Sequence, residues 1–155
     1  ASRQLEEWLA RKYGDFLAEP HYNKIKPRII CETYLGEQLV NYKFFCFHGE
    51  PKFMYVVQGD GTEKRMTCLD MNQRPLPYKQ HFLPVIETQG LLDGFEEMVQ
   101  ICFSLSRPFP FVRVDLYQAR GKILLGELTF TPSAGFECFY PMKYDKEIGA
   151  FLSLS

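Results

Sequence analysis

Little in this 155-residue sequence carries metal or acid–base chemistry unaided. The three histidines, His21, His48 and His81, are isolated from one another, so zinc-ligand spacing is absent. None of the five cysteines (Cys31, Cys46, Cys68, Cys102, Cys138) forms a CxxC pair. An odd number of them, scattered mostly among apolar neighbours, implies reduced core thiols in a cytosolic protein rather than a disulfide framework. Gly59-Asp60-Gly61 lacks the rest of a dinucleotide or Walker motif and reads as a turn, and there is no GxSxG. No apolar run approaches the ~20 residues of a membrane span, and no charged-then-apolar signal segment opens the chain. A net charge of −1 offers no basic field to nucleic acid or anionic membrane. Opening as it does on Ala1-Ser2 without Met, the chain is expected to be processed or cut from something longer.

What is present is apolar and aromatic. At 46% hydrophobic and 15% aromatic residues, the chain can bury the core of one domain spanning 1–155. Its most informative stretch is Phe111 to Pro132, FVRVDLYQARGKILLGELTFTP: two β-rich runs joined by a polar connection containing Gly121. In the first run Val112, Val114 and Leu116 alternate with Arg113, Asp115 and Tyr117. In the second, Glu127, Thr129 and Thr131 share one face and Leu124, Gly126, Leu128 and Phe130 the other. A carboxylate among such strands is costly to bury unless paired or bound to a metal. Register decides whether the acids cooperate. An even number-sum for paired residues sets Asp115 and Glu127 on one face, where a divalent cation with oxygen ligands would relieve their repulsion. A tight turn at Arg120-Gly121 gives an odd sum and separates them. An Arg113–Glu127 surface pair on a half-exposed hairpin is the plainer alternative.

Along the chain, Leu5, Trp8, Leu9 and Phe16 recur at helical spacing within 4–17 and predict a helix whose regular part ends at Gly14. A polar connector follows, and Pro27 leads into Arg28–Tyr34, RIICETY, which reads as a buried strand interrupted by Glu32. Asn41–His48 (NYKFFCFH) and Lys52–Gln58 predict two strands around a turn at Gly49-Glu50-Pro51. Phe44, Phe45 and Phe47 are expected to pack in the core, since stacking platforms for nucleic acid come with basic grooves. Lys43 within that strand can snorkel or hold a phosphate. Residues 59–84 read as a long irregular region carrying Lys64, Arg65, Arg74 and Lys79. The stripe Leu92, Phe95, Val99, Cys102 and Phe103 predicts a helix over 91–105, ended by Pro108 and Pro110. Ser133-Ala134-Gly135 is a small-residue turn, and 145–154 a short terminal helix.

Together, RVDLY, the Gly-bearing connection and GELTFTPSAGF resemble the closing strands of ATP-grasp ligases. In that superfamily an Arg-x-Asp strand precedes one ending in Glu-x-Asn, then Pro and a small-residue turn. The wider pattern of a WL helix, PRIICE, YKFFCFHG, RVDLY and GELTFTP is similar to the TupA-like ATP-grasp family over nearly the whole chain. That family is associated with bacterial teichuronopeptide, capsule and exopolysaccharide synthesis. The resemblance implies an α+β fold: an ATP-grasp-like C-terminal lobe, mainly antiparallel sheet packed with helices.

It also implies ATP and Mg²⁺ as cofactors, and ATP-dependent ligation of a carboxylate to an amine through an acyl phosphate. By position, Asp115 and Glu127 would be metal ligands, with Thr129 where related ligases use Asn. Arg113 would stabilise the transferring phosphoryl group. Glu32, Thr33, Tyr34 and Leu35 would form the hinge that recognises adenine, Asn41 would lie near the ribose, and Lys43 and Arg65 would contact phosphate. Nothing before Arg28 resembles the upstream lobe with its Gly-rich flap and phosphate-binding lysine. The chain is therefore expected to fold, to show little ligase activity alone, and to be completed by an upstream or partner lobe. The unpaired cysteines lead to the expectation of a cytoplasmic location. A non-catalytic binding module of polysaccharide assembly and a metal-dependent glycosyltransferase are the alternatives.

Overall fold

The computed structural model describes residues 2–11, 14, 19–36, 39–59, 63–78, 84 and 92–154. Five strands, β1 (Asn41–Phe47), β2 (Glu50–Gln58), β3 (Arg65–Asp70), β4 (Phe111–Ala119) and β5 (Lys122–Thr129), form one sheet in the order β3-β2-β1-β4-β5. Every neighbouring pair is antiparallel. Three helices accompany them among the described residues: α1 (Ser2–Ala10), α2 (Phe95–Ser106) and α3 (Lys143–Gly149). The expected α+β architecture is present.

The apolar run in β1 exists because a central strand needs oily residues on both faces. Phe44 and Cys46 point to the α2 side, where they pack with Met54, Val112, Val114, Met98 and Cys102. Phe45 and Phe47 point the other way, into a cluster with Phe53, Tyr55, Phe139 and Ile148 of α3. There Phe45 and Phe53 stack at 4.5 Å between ring centroids, and Phe139 meets both edge-on at 5.9 and 5.8 Å. Burying rings of this size contributes about 1.5–3 kcal/mol each. The core role expected of the phenylalanines holds.

Two hairpins use the same turn. His48-Gly49 and Arg120-Gly121 all have positive φ (50°, 81°, 53° and 70°), matching the twist of the flanking strands. The first turn therefore sits one residue earlier than expected, and Glu50 and Pro51 belong to β2. Pro51, which has no N–H to give the ladder, lies where the register shifts between Phe45 and Cys46.

Several expectations need correction. Residues 28–34 form no strand: the segment is irregular and exposed, Ile30 to 79% and Tyr34 to 70%. Apolar patterning expresses a preference for burial, but a strand also needs a ladder partner, and this segment pairs with neither sheet edge. Within the supposedly irregular 59–84, residues 65–70 form β3, because pairing with β2 buries Met66, Thr67, Cys68 and Leu69. After β3, Asp70 Oδ1 accepts the backbone N–H groups of Asn72 and Arg74, both at 2.8 Å, and turns the chain. Helix α2 begins later than expected, behind Gly94 in the left-handed region at φ 68°. Helix α3 starts two residues early and ends at Gly149. Lys79, His81, Leu91 and most of 12–18 lie outside the described residues. No helix among the described residues is long and apolar enough to cross a membrane.

Candidate functional site

The polar residues of β1, β4 and β5 meet because of one glycine. Starting from the two-residue turn, Ala119 pairs with Lys122 and Leu116 with Leu125, the odd-sum register that would separate the acids. Between Asp115 and Leu116 the register shifts, and Asp115 then stands opposite Glu127 and Arg113 opposite Thr129. Gly126 is the extra residue, a β-bulge. A Cβ there would lie 2.3 Å from Tyr117 Cε2, so the tyrosine ring rests where only glycine leaves room. Both features posed as alternatives from sequence, the tight turn and the shared acidic face, occur in the same hairpin. The bulge also moves Leu124 to the face of Tyr117, against the alternation expected beyond it.

On β1, Lys43 pairs with Asp115 and Asn41 with Tyr117, so the polar face extends across three strands. Asp115 is 1% exposed, a burial that requires compensation. Lys43 Nζ donates to its Oδ2. Arg113 Nε donates to Oδ1 at 2.7 Å and Nη2 to Oδ2 at 2.9 Å, a bidentate pair. Arg113 Nη2 reaches Glu127 Oε1 at 3.0 Å and Thr129 Oγ1 at 3.1 Å, and Thr129 Oγ1 donates to Glu127 at 2.7 Å. The plainer Arg113–Glu127 pair is thus real, within a larger network. Burial alone would lower the Arg113 pKa, but Asp115, Glu137 and Glu127 together raise it.

Glu137 was not anticipated. It follows the turn Pro132–Gly135, in which Ser133, Ala134 and Gly135 all have positive φ. Its side chain is 6% exposed, and neither carboxylate oxygen has a hydrogen-bond partner among the described residues. Arg113 Nη1 lies 4.0 Å away, beyond hydrogen-bond range. Burial pushes the Glu137 pKa up to about 7, with Arg113 and Lys43 pulling down and Asp115 adding to the rise. The available signal was an acid among aromatics in GFECFY, the kind of anomaly that drew attention to Asp115, but no periodicity placed it.

Of the remaining candidates, Asn41 donates from Nδ2 to the Tyr117 hydroxyl at 3.1 Å, and its buried Oδ1 has no partner among the described residues. The Tyr117 pKa is raised by burial and then by Asp115, Glu127 and Glu32, so Glu32 lies within electrostatic reach of this face. Glu32, Thr33 and Tyr34 are exposed and Leu35 half-buried. Among the described residues, Glu32 to Leu35 make no backbone–backbone hydrogen bond. Arg65 stands apart: it opens β3, pairs with Gln58, and by register faces the α2 side of the sheet.

The donor set of Asp115, Glu127 and Thr129 is all oxygen, the chemistry of a hard cation such as Mg²⁺. Both acids share a face, and Glu127 is 60% exposed and able to reorient. In this structure their oxygens are held by Lys43 and Arg113, and no group of three or more His, Cys, Asp or Glu among the described residues is arranged to hold a metal. The donor types fit such an ion, and holding it requires Lys43 and Arg113 to give up Asp115 Oδ2 as well as Arg113 to release Glu127.

The family model for TupA-like ATPgrasp matches residues 1–153. No curated protein and no solved structure matches the chain.

Proposed function

This chain belongs to the TupA-like ATP-grasp family, and on that premise we propose that its polar sheet face is one wall of the ATP site of a carboxylate–amine ligase. The fold is of the nucleotide-binding ATP-grasp type. What carries the finer reading is the convergence of Lys43, Arg113, Asp115, Glu127 and Thr129 on one face through the Gly126 bulge.

In this reading Asp115, Glu127 and Thr129 hold Mg²⁺, which when bound supplies charge neutralisation on the ATP phosphates. Lys43 and Arg113 are the cations facing those phosphates. Arg113, anchored by two hydrogen bonds to Asp115, is oriented before the ligand arrives. It stabilises the charge that develops as a substrate carboxylate takes the γ-phosphoryl group to give an acyl phosphate and ADP. An amine then attacks the acyl carbon and phosphate leaves. Asn41 Oδ1, unpartnered among the described residues, accepts a ribose hydroxyl, and the peptide groups of Glu32 to Leu35 receive the adenine edge.

A further lobe supplies the Gly-rich flap and the phosphate-binding lysine, so turnover by these residues alone is low. Bacterial surface-polysaccharide assembly, in the cytoplasm where ATP is available, is the setting. A non-catalytic nucleotide-binding module is the second reading, favoured by the full engagement of Asp115 with Lys43 and Arg113. Assaying the chain within its native flanking sequence, with MgATP, hydroxylamine and a panel of small carboxylates, separates the two. A ligase yields ADP and hydroxamate together, stimulated by one class of carboxylate. Nucleotide binding without any such stimulation would favour the module.

A further inference from the structure

Arg113 stands among three carboxylates but is bonded to only two of them. Nε and Nη2 are committed to Asp115, Glu127 and Thr129, while Nη1 stops 4.0 Å short of Glu137. On the other side of that gap, both Glu137 oxygens are buried and have no hydrogen-bond partner among the described residues. Tyr55, 0% exposed, has its hydroxyl likewise without a partner, and Glu137 acts on it electrostatically. A buried carboxylate left unsatisfied is a cost that a folded chain ordinarily avoids. A carboxylate held just out of reach of an arginine has an evident second arrangement.

We propose that Glu137 is the second clamp of Arg113: when a ligand frees Nη2 from Glu127 and Thr129, Nη1 closes onto Glu137 while Nε stays on Asp115. The guanidinium is then gripped along two edges and presents Nη2 to an anionic phosphoryl oxygen. Glu137 is thus a positioning residue, acting through Arg113 rather than on the ligand. This extends the ATP-site reading, on which the identity of the ligand rests. The charged and titratable groups around Glu137 are Arg113 and Asp115 from β4, Lys43 from β1 and Tyr55 from β2. A direct charge effect of Glu127 on Glu137 would persist in Arg113→Lys, which keeps the cation, whereas an effect that travels through the guanidinium would not.

The test follows the Glu137 carboxyl by carbon NMR of the full chain labelled at glutamate, with the Glu137→Gln variant assigning the signal. Without any ligand, Glu127→Ala/Thr129→Val removes two of the three acceptors that hold Nη2 and leaves only Asp115 Oδ2, and the Glu137 titration midpoint should fall by about one unit as the new bond forms. Adding Mg²⁺ with a non-hydrolysable ATP analogue to the wild type should lower it similarly, and Arg113→Lys should abolish both effects. An unchanged midpoint in the folded double variant overturns the clamp whatever the nucleotide does. A fall in the double variant, in a protein that calorimetry shows not to bind the nucleotide, supports the clamp and refutes the ATP site.

Discussion

Replacing Glu137 by Gln should stabilise the protein at alkaline pH and hardly change it in acid. The carboxyl is pushed up from 4.5 to about 7 by burial, and its nearest cation among the described residues is 4.0 Å away. Between those values the folded state keeps a proton that the unfolded state has lost. Stability therefore falls as pH rises through this window, and the full cost is felt above the folded-state value. At ~1.4 kcal/mol per unit, the group costs roughly 3 kcal/mol at about pH 8 and under roughly 1 kcal/mol at about pH 5. Glutamine keeps the shape and cannot ionise. Urea denaturation of both proteins at each pH gives the difference directly, because the other titrating groups are common to both. The variant should gain roughly 2–3 kcal/mol on the wild type between about pH 5 and pH 8. A gap that does not change with pH, or one that favours the wild type in alkali, would refute the placement of Glu137 as a buried, unpaired acid.

Gly126→Ala would drive a methyl into the Tyr117 ring, where the contact would be 2.3 Å. A loss of roughly 1–3 kcal/mol is expected by thermal or chemical denaturation, together with loss of nucleotide affinity as Glu127 leaves its register. Asp115→Asn leaves Lys43 and Arg113 without their buried counter-charge and should cost about 3–5 kcal/mol, measured the same way. Phe44→Ala, at a site fully buried under α2, should cost about 3–5 kcal/mol with little change in nucleotide binding per folded molecule.

The site was more legible in the sequence than its frame. Alternation in RVDLY placed Arg113, Asp115 and Tyr117 on one face because a period of two is local. The pairing across the hairpin was not local. The turn at Arg120-Gly121 alone implied the wrong register, and Gly126 corrected it midway along β5. A glycine inside a strand is a bulge signal in principle, but nothing in GELTF says that the bulge lies opposite Asp115–Leu116. Residues 28–34 misled for a related reason, since their Ile and Tyr content predicts burial and cannot supply a partner strand. β3 was missed because RMTCLD is short and flanked by charge, and its pairing with β2 decides the matter. Glu137 reaches the site from a left-handed turn whose path only the folded backbone defines.

Whether this face binds a metal–nucleotide complex is tested most directly at Glu127. At 60% exposure it can be changed without the penalty attached to Asp115. Calorimetry should compare the wild type with Glu127→Gln, each titrated with a non-hydrolysable ATP analogue in the presence and absence of Mg²⁺. The wild type should bind in a Mg²⁺-dependent manner, and the variant about tenfold or more weakly, a loss of about 1.4 kcal/mol. Equal affinities for the two proteins, indifferent to Mg²⁺, would contradict the ATP-site reading.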